Sequence, residues 1–170
     1  MEWAAISVIL NKHTKEFSQL QKFVERESSI NVDEIKIIKS GRNSQVFLIG
    51  EKDKKCIIKK YYKNKLDNRS RLLNETSFLS YLKDINIRKV SETLATDNKN
   101  NLALFTFLPG SAPNTINDDL VNQASNFIRQ INEFRNTAEA KSLPKASEAS
   151  FSVMSHIQLL KRRLRSLNKI

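Results

Sequence analysis

The stretch Ser40-Gly41-Arg42-Asn43-Ser44-Gln45-Val46-Phe47-Leu48-Ile49, with Cys56-Ile57-Ile58-Lys59-Lys60-Tyr61-Tyr62 shortly after it, decides the fold class. Three runs around it alternate with period two: Glu34–Lys39, Gln45–Ile49 and Lys55–Tyr62. Each is rich in Ile, Val, Phe or Tyr, as half-buried strands are. Ser40-Gly41-Arg42-Asn43-Ser44 joins the first two runs and Gly50-Glu51-Lys52-Asp53-Lys54 the last two. Both connections carry turn chemistry, so the segment reads as an antiparallel meander.

Outward from the meander the pattern becomes helical. Residues 2–29 read as a helix, with Ile6, Ile9, Leu10, His13, Phe17, Leu20 and Val24 near one face. On that stripe His13 is a partly buried helix residue, since no second His or Cys stands nearby to share a metal. After the meander, Ser70–Asp84 reads as a helix with Leu72, Leu73, Thr76, Leu79 and Leu82 on its apolar side. Two further strands are expected at Arg88–Leu94 and Leu102–Leu108, separated by the polar turn Asp97–Asn101. Pro109-Gly110 ends the sheet, and helices follow at Asn117–Ala140 and Phe151–Leu167. The layout is α+β, with an antiparallel sheet of about five strands, one packed helix and a subdomain boundary at Leu108–Ala112.

Composition sets outer bounds. The 170 residues are 39% apolar and 28% charged, which suits a globular chain with a real core. Formal net charge is +11, which favours anionic partners without choosing among nucleotides, nucleic acid and membranes. The single cysteine, Cys56, excludes an internal disulfide and any cysteine-based zinc cluster. It lies among strand formers as a small core hydrophobe, and a cytoplasmic location is expected. The apolar start Trp3–Leu10 is too short for a transmembrane segment and lacks a signal peptide's flanks. It reads as the buried face of the first helix.

Three features bear on chemistry. The turn around Gly41, Asn43 and Ser44 offers small side chains and backbone N–H groups of the kind that cover phosphates. An ordinary hairpin loop has the same residues. On the third strand, Ile57, Lys59 and Tyr61 share one face, while Cys56, Ile58 and Lys60 share the other. One lysine therefore points inward on either choice of face and needs an anionic partner, unless both sit at a strand end and reach solvent. Glu75 falls on a helical stripe with Leu72, Leu79 and Leu82. A carboxylate on a packing face calls for a cation, and Lys59 is the nearest candidate. Otherwise Glu75 lies on a solvated helix face.

A phosphate-covering turn, a strand lysine and a helix glutamate in this order resemble the ATP-binding N-lobe of a protein-kinase-like fold. More closely, the chain resembles the aminoglycoside phosphotransferase and choline kinase-like family, whose members phosphorylate small hydroxylated molecules with ATP. Ser40–Phe47 is similar to that family's nucleotide loop, Ile57-Ile58-Lys59 to its phosphate-binding strand and Asn74–Leu79 to its first lobe helix. Leu104-Phe105-Thr106-Phe107-Leu108-Pro109-Gly110 is similar to its hinge, and the likeness spans about residues 31–135. The resemblance implies a flanking N-terminal helix at 1–30, a nucleotide-binding N-lobe at 31–110 and the start of an incomplete helical C-lobe at 111–170. It implies that Lys59, or alternatively Lys60, binds the ATP phosphates, that Glu75 holds the lysine, and that backbone at Thr106 and Leu108 seats the adenine. The nucleotide loop has one glycine where the family has several.

The resemblance also implies what this chain lacks. Phosphoryl transfer needs an aspartate for the acceptor hydroxyl and carboxylates for Mg²⁺. The last aspartate is Asp119, and Asp118 and Asp119 read as a helix start, where carboxylates favour the N-terminal dipole. No family-type His-x-Asp loop follows: His156 is succeeded by Ile157-Gln158. ATP is the expected cofactor, with Mg ligands not supplied here and no transfer expected unaided. The final helix pairs an apolar stripe with Lys161, Arg162, Arg163, Arg165 and Lys169. Its stripe must bury against something: a missing C-terminal lobe, a partner subunit, or an anionic membrane or nucleic acid. The basic cluster has no interleaved aromatics, which argues against nucleic acid.

Overall fold

The computed structural model describes residues 8–41, 43–51, 54–63, 70–144, 150 and 152–167. Six strands, β1 (Val8–Ile9), β2 (Ile35–Ser40), β3 (Ser44–Glu51), β4 (Lys54–Tyr61), β5 (Thr93–Asp97) and β6 (Leu102–Thr106), form one antiparallel sheet of order β1-β2-β3-β4-β6-β5. Helix α1 (Lys15–Glu27) precedes β2, and α2 (Arg71–Asp84) separates β4 from β5. Helices α3 (Asp118–Glu133), α4 (Ala138–Ser142) and α5 (Val153–Leu167) follow the sheet. The α+β architecture and the meander are as expected from the sequence.

Several expected boundaries are wrong for physical reasons. Residues 2–29 are not one helix. Val8–Ile9 pair with Ile37 and Lys36 as an edge strand, a turn at Asn11–Thr14 intervenes, and among the described residues of this stretch the helix is Lys15–Glu27. The helix starts where Thr14 caps it, its hydroxyl accepting from the Phe17 amide at 3.1 Å. His13 therefore lies in the exposed turn, its amide donating to Asn11 Oδ1, rather than on a helix stripe. Val8 and Ile9 are exposed rather than a buried helix face, while Trp3 lies outside the described residues. The fourth expected strand begins at Thr93, not Arg88, because the chain leaves α2 through Asn86 in the left-handed region (φ 63°). The helix expected over Asn117–Ala140 breaks after Glu133, and Thr137 caps the short α4.

Strand alternation divides the core between the two faces of the sheet. The register places Ile35, Ile49 and Cys56 on one face together with Phe47, Ile58 and Leu104. All six are fully buried, and Phe17, Leu20, Phe23 and Val24 of α1 cover them. The opposite face carries Ile57, Tyr61, Ala103 and Phe105, packed with Leu72 and Leu79 of α2. Burial of this kind yields about 25 cal/mol per Å² of apolar surface and is the main favourable term. Desolvation in the α1-side core pushes the Cys56 thiol up to about 11, so it stays protonated.

Gly50 closes the β3–β4 hairpin at φ 86°, where a Cβ would lie 2.0 Å from the Lys54 carbonyl oxygen. Gly50→Ala is expected to lower stability by about 1–3 kcal/mol through strain and displacement of β4. A urea-unfolding midpoint unchanged from the parent would contradict this placement.

Candidate functional site

β4 is the third strand of the meander and an inner strand of the sheet, paired to β3 on one side and β6 on the other. Its alternation sends Lys59 and Lys60 to opposite faces. Lys60 points to the α1 face and forms an ion pair with Glu16 in the first turn of that helix. Lys59 points to the α2 face, where its ammonium lies 2.6 Å and 3.0 Å from the two carboxylate oxygens of Glu75. Of the two lysines left open by the sequence, Lys60 is thus committed to anchoring α1. Lys59 stands on the face that also carries the glutamate.

The α2 helix brings Glu75 into place. Ser70 caps it, accepting from the Leu73 amide, and Leu72 is buried one turn before the carboxylate and Leu82 two turns after it. The helix does not bury every expected leucine: Leu73 is 56% exposed, and Tyr81 takes a core position instead. Both partners of the pair remain reachable, with side chains 26% and 37% exposed for Lys59 and Glu75. At that exposure, water screens much of the attraction, and the pair contributes under about 1 kcal/mol. Its geometry, a two-oxygen grip on one ammonium, is more informative than its strength.

Around the pair the register assembles residues that the sequence pattern did not single out. Ala103 lies directly across from Lys59 on β6, and Val46 directly across from it on β3. Ala103 is fully buried, leaving the lysine stem next to the smallest available side chain. The Lys59 ammonium sits 5.3 Å from the centre of the Tyr61 ring, two residues along the same face. The Tyr61 hydroxyl is buried and has no partner of good hydrogen-bond geometry. Burial first, then the negative charge of Glu75, pushes this phenol well above the ordinary tyrosine range. Tyr61 is therefore a neutral wall beneath the ammonium. Only strand register could have revealed Val46 and Ala103, because they come from two other strands, whereas Tyr61 shares the Lys59 face by alternation along β4 itself.

The turn residues are placed as follows. Gly41 donates its amide to the Ser44 carbonyl at 3.0 Å, so this N–H is used inside the turn and is not the open donor expected. A Cβ at Gly41 would meet only that same carbonyl oxygen at 3.7 Å, an ordinary contact, so the backbone does not require glycine here. Asn43 is exposed, and its carbonyl accepts from the Tyr62 amide at 3.1 Å, tying the turn to the end of β4. Ser44 pairs with Tyr61, which puts the turn at the same end of the strand as the Lys59 side chain.

At the hinge-like segment, Thr106 is the last residue of β6. Its amide donates to the Glu92 carbonyl at 3.0 Å, and its hydroxyl accepts from the Glu92 amide at 2.9 Å. Thr106 is thus engaged by the approach to β5. Leu108 lies beyond the strand and is 54% exposed. Phe107 between them stacks under the Lys55 ammonium at 5.4 Å. Asp118 and Asp119 occupy the first turn of α3 behind the Asn117 cap, as their spacing suggested. Among the described residues, no group of three or more His, Cys, Asp or Glu is placed to hold a metal ion.

Comparison of the sequence with protein-family models gives no match, and comparison with curated proteins gives none. The functional reading therefore rests on the geometry just described.

Removing one partner of the screened pair tests its structural weight. Glu75→Ala is expected to lower unfolding free energy by less than about 1 kcal/mol. A loss several times larger, measured by denaturant titration, would make the pair a structural strut and not an accessible site.

Proposed function

We propose that this chain is the ATP-binding portion of a kinase-like small-molecule phosphotransferase. The observation that carries the reading is the ion pair between Lys59, on the third strand of the meander, and Glu75, on the helix that follows it. In protein kinases the corresponding lysine and glutamate must be paired for the lysine to meet the nucleotide phosphates. An ammonium that is one-quarter exposed, fixed by a carboxylate and backed by a buried aromatic ring, is suited to an anionic ligand.

On this reading Lys59 binds the α- and β-phosphates and Glu75 holds its direction. The Asn43–Ser44 end of the turn lies over the phosphates, with Gly41 keeping the turn slim. Val46 and Ile57, both half-buried, offer the apolar surface for the base. The exposed backbone at Leu108 seats the adenine edge, since the Thr106 amide is already taken. Bound Mg-ATP would bring its own metal and supply the transferable phosphoryl group. Residues 120–170 contain no aspartate, so they offer neither the acceptor-orienting carboxylate nor a metal-binding aspartate. The expected phenotype is nucleotide binding without transfer by this chain alone.

A second reading is a non-catalytic binding or regulatory module with a basic helical docking tail. It is favoured by one observation: α3 and α4 bury no residue, and the described side chains of α5 are all at least partly exposed. Both readings share the same nucleotide-binding face.

Titration calorimetry with Mg-ATP is expected to show saturable binding that Lys59→Ala weakens at least tenfold. Equal affinity in the variant would overturn the assignment, and detectable phosphorylation of small alcohols by the chain alone would overturn the expectation that it does not transfer unaided.

A further inference from the structure

Helix α5 has the surface of an interfacial membrane helix, and we propose that it docks the protein on an anionic phospholipid bilayer. Four of its apolar side chains, Val153, Ile157, Leu160 and Leu164, fall within an arc of about 60° at 3.6 residues per turn, with Met154 and Leu159 outside it. They are 79%, 39%, 45% and 62% exposed, so nothing among the described residues covers them. Lys161 and Arg165 border this arc on one side and Arg163 on the other, with Arg162 opposite. Residues 153–167 contain four cations and no Asp or Glu.

Cations flanking both edges of a narrow apolar sector suit a helix lying in the headgroup plane. The apolar stripe enters the acyl boundary while the long basic side chains stay level with the phosphates. The 15-residue helix spans about 22 Å, and no helix among the described residues is long and apolar enough to cross a membrane. It therefore lies along the bilayer. The net charge of +11 adds long-range attraction to the same surface.

Other occupants fit less well. A second copy of α5 would set four cations against four with no carboxylate between them, a like-charge seam. Nucleic acid has no use for the aliphatic stripe, and α5 presents no Phe, Tyr or Trp for stacking. Helix α3 also has an open apolar face, with Val121 and Ile128 exposed, but it carries Asp118, Asp119 and Glu133 against Arg129 alone. The bilayer assignment is therefore made for α5 and does not depend on the nucleotide reading.

Sedimentation of the whole chain with extruded vesicles tests the proposal. At physiological salt the protein is expected to pellet with phosphatidylcholine vesicles containing phosphatidylglycerol, and at least tenfold more weakly with phosphatidylcholine alone. Ile157→Ser with Leu160→Ser, and separately Lys161→Gln with Arg165→Gln, should each reduce partitioning about tenfold. None of these side chains belongs to the buried core, so circular dichroism should show both variants folded. Failure of the parent chain to pellet would overturn the proposal. So would undiminished binding of the serine variant, which would mean adsorption by charge only. A dimer that the serine substitutions dissociate would overturn it too, by assigning the stripe to a second copy.

Discussion

Two adjacent lysines on one inner strand cannot share a face, and the placement of both N-terminal helices follows from that. Strand alternation sends Lys60 to one side of the sheet and Lys59 to the other. Each would be left without a counter-charge among apolar neighbours unless the element covering its side supplied one. α1 supplies Glu16 and α2 supplies Glu75. The apolar packing of Phe17, Leu20, Phe23 and Val24 on one face and Leu72 on the other contributes most of the energy. The ion pairs contribute less energy and give each lysine a counter-charge from the helix on its own face.

The two pairs differ in what surrounds them. Lys60 lies where the sheet is closed by α1, over a core of fully buried aliphatic side chains. Lys59 lies where the coverage by α2 is partial, with Leu79 only half-buried and Phe78 exposed. On this α2 side Lys59 lies next to the turn end of β4, while the end of β6 lies beside Cys56 towards the other end of the strand. An anion arriving there meets a fixed ammonium, and the buried Tyr61 phenol stays neutral because burial and Glu75 both oppose its ionisation.

Much of this was legible in the sequence, and what was not has identifiable causes. The meander could be read because its three strands alternate cleanly and its turns carry Gly, Asn and Ser. The Lys59–Glu75 pair could be expected because a carboxylate on a leucine stripe demands a cation. The choice between Lys59 and Lys60 could not be read, since alternation fixes that they diverge but not which face α2 will cover. Val8–Ile9 was misread as helix because two apolar residues carry no period of their own. It is pairing with Ile37 and Lys36 that makes them a strand. The strand expected at Arg88 was placed too early because the left-handed exit through Asn86 is a backbone event with no hydrophobic signature. Ala103 and Val46 were invisible as site residues because their position beside Lys59 exists only through register. The hydrogen bond that uses the Gly41 amide inside its own turn was likewise beyond any pattern.

The central claim is that the Lys59 face of the sheet receives a nucleotide. Amide chemical-shift mapping with Mg-ADP tests it most directly. The account predicts that perturbations concentrate at Asn43, Ser44, Val46, Lys59, Ala103 and Leu108, with Glu16 and Lys60 on the α1 face unmoved. Perturbations confined to the α1 face or to the C-terminal helices, or none at saturating nucleotide, would contradict it.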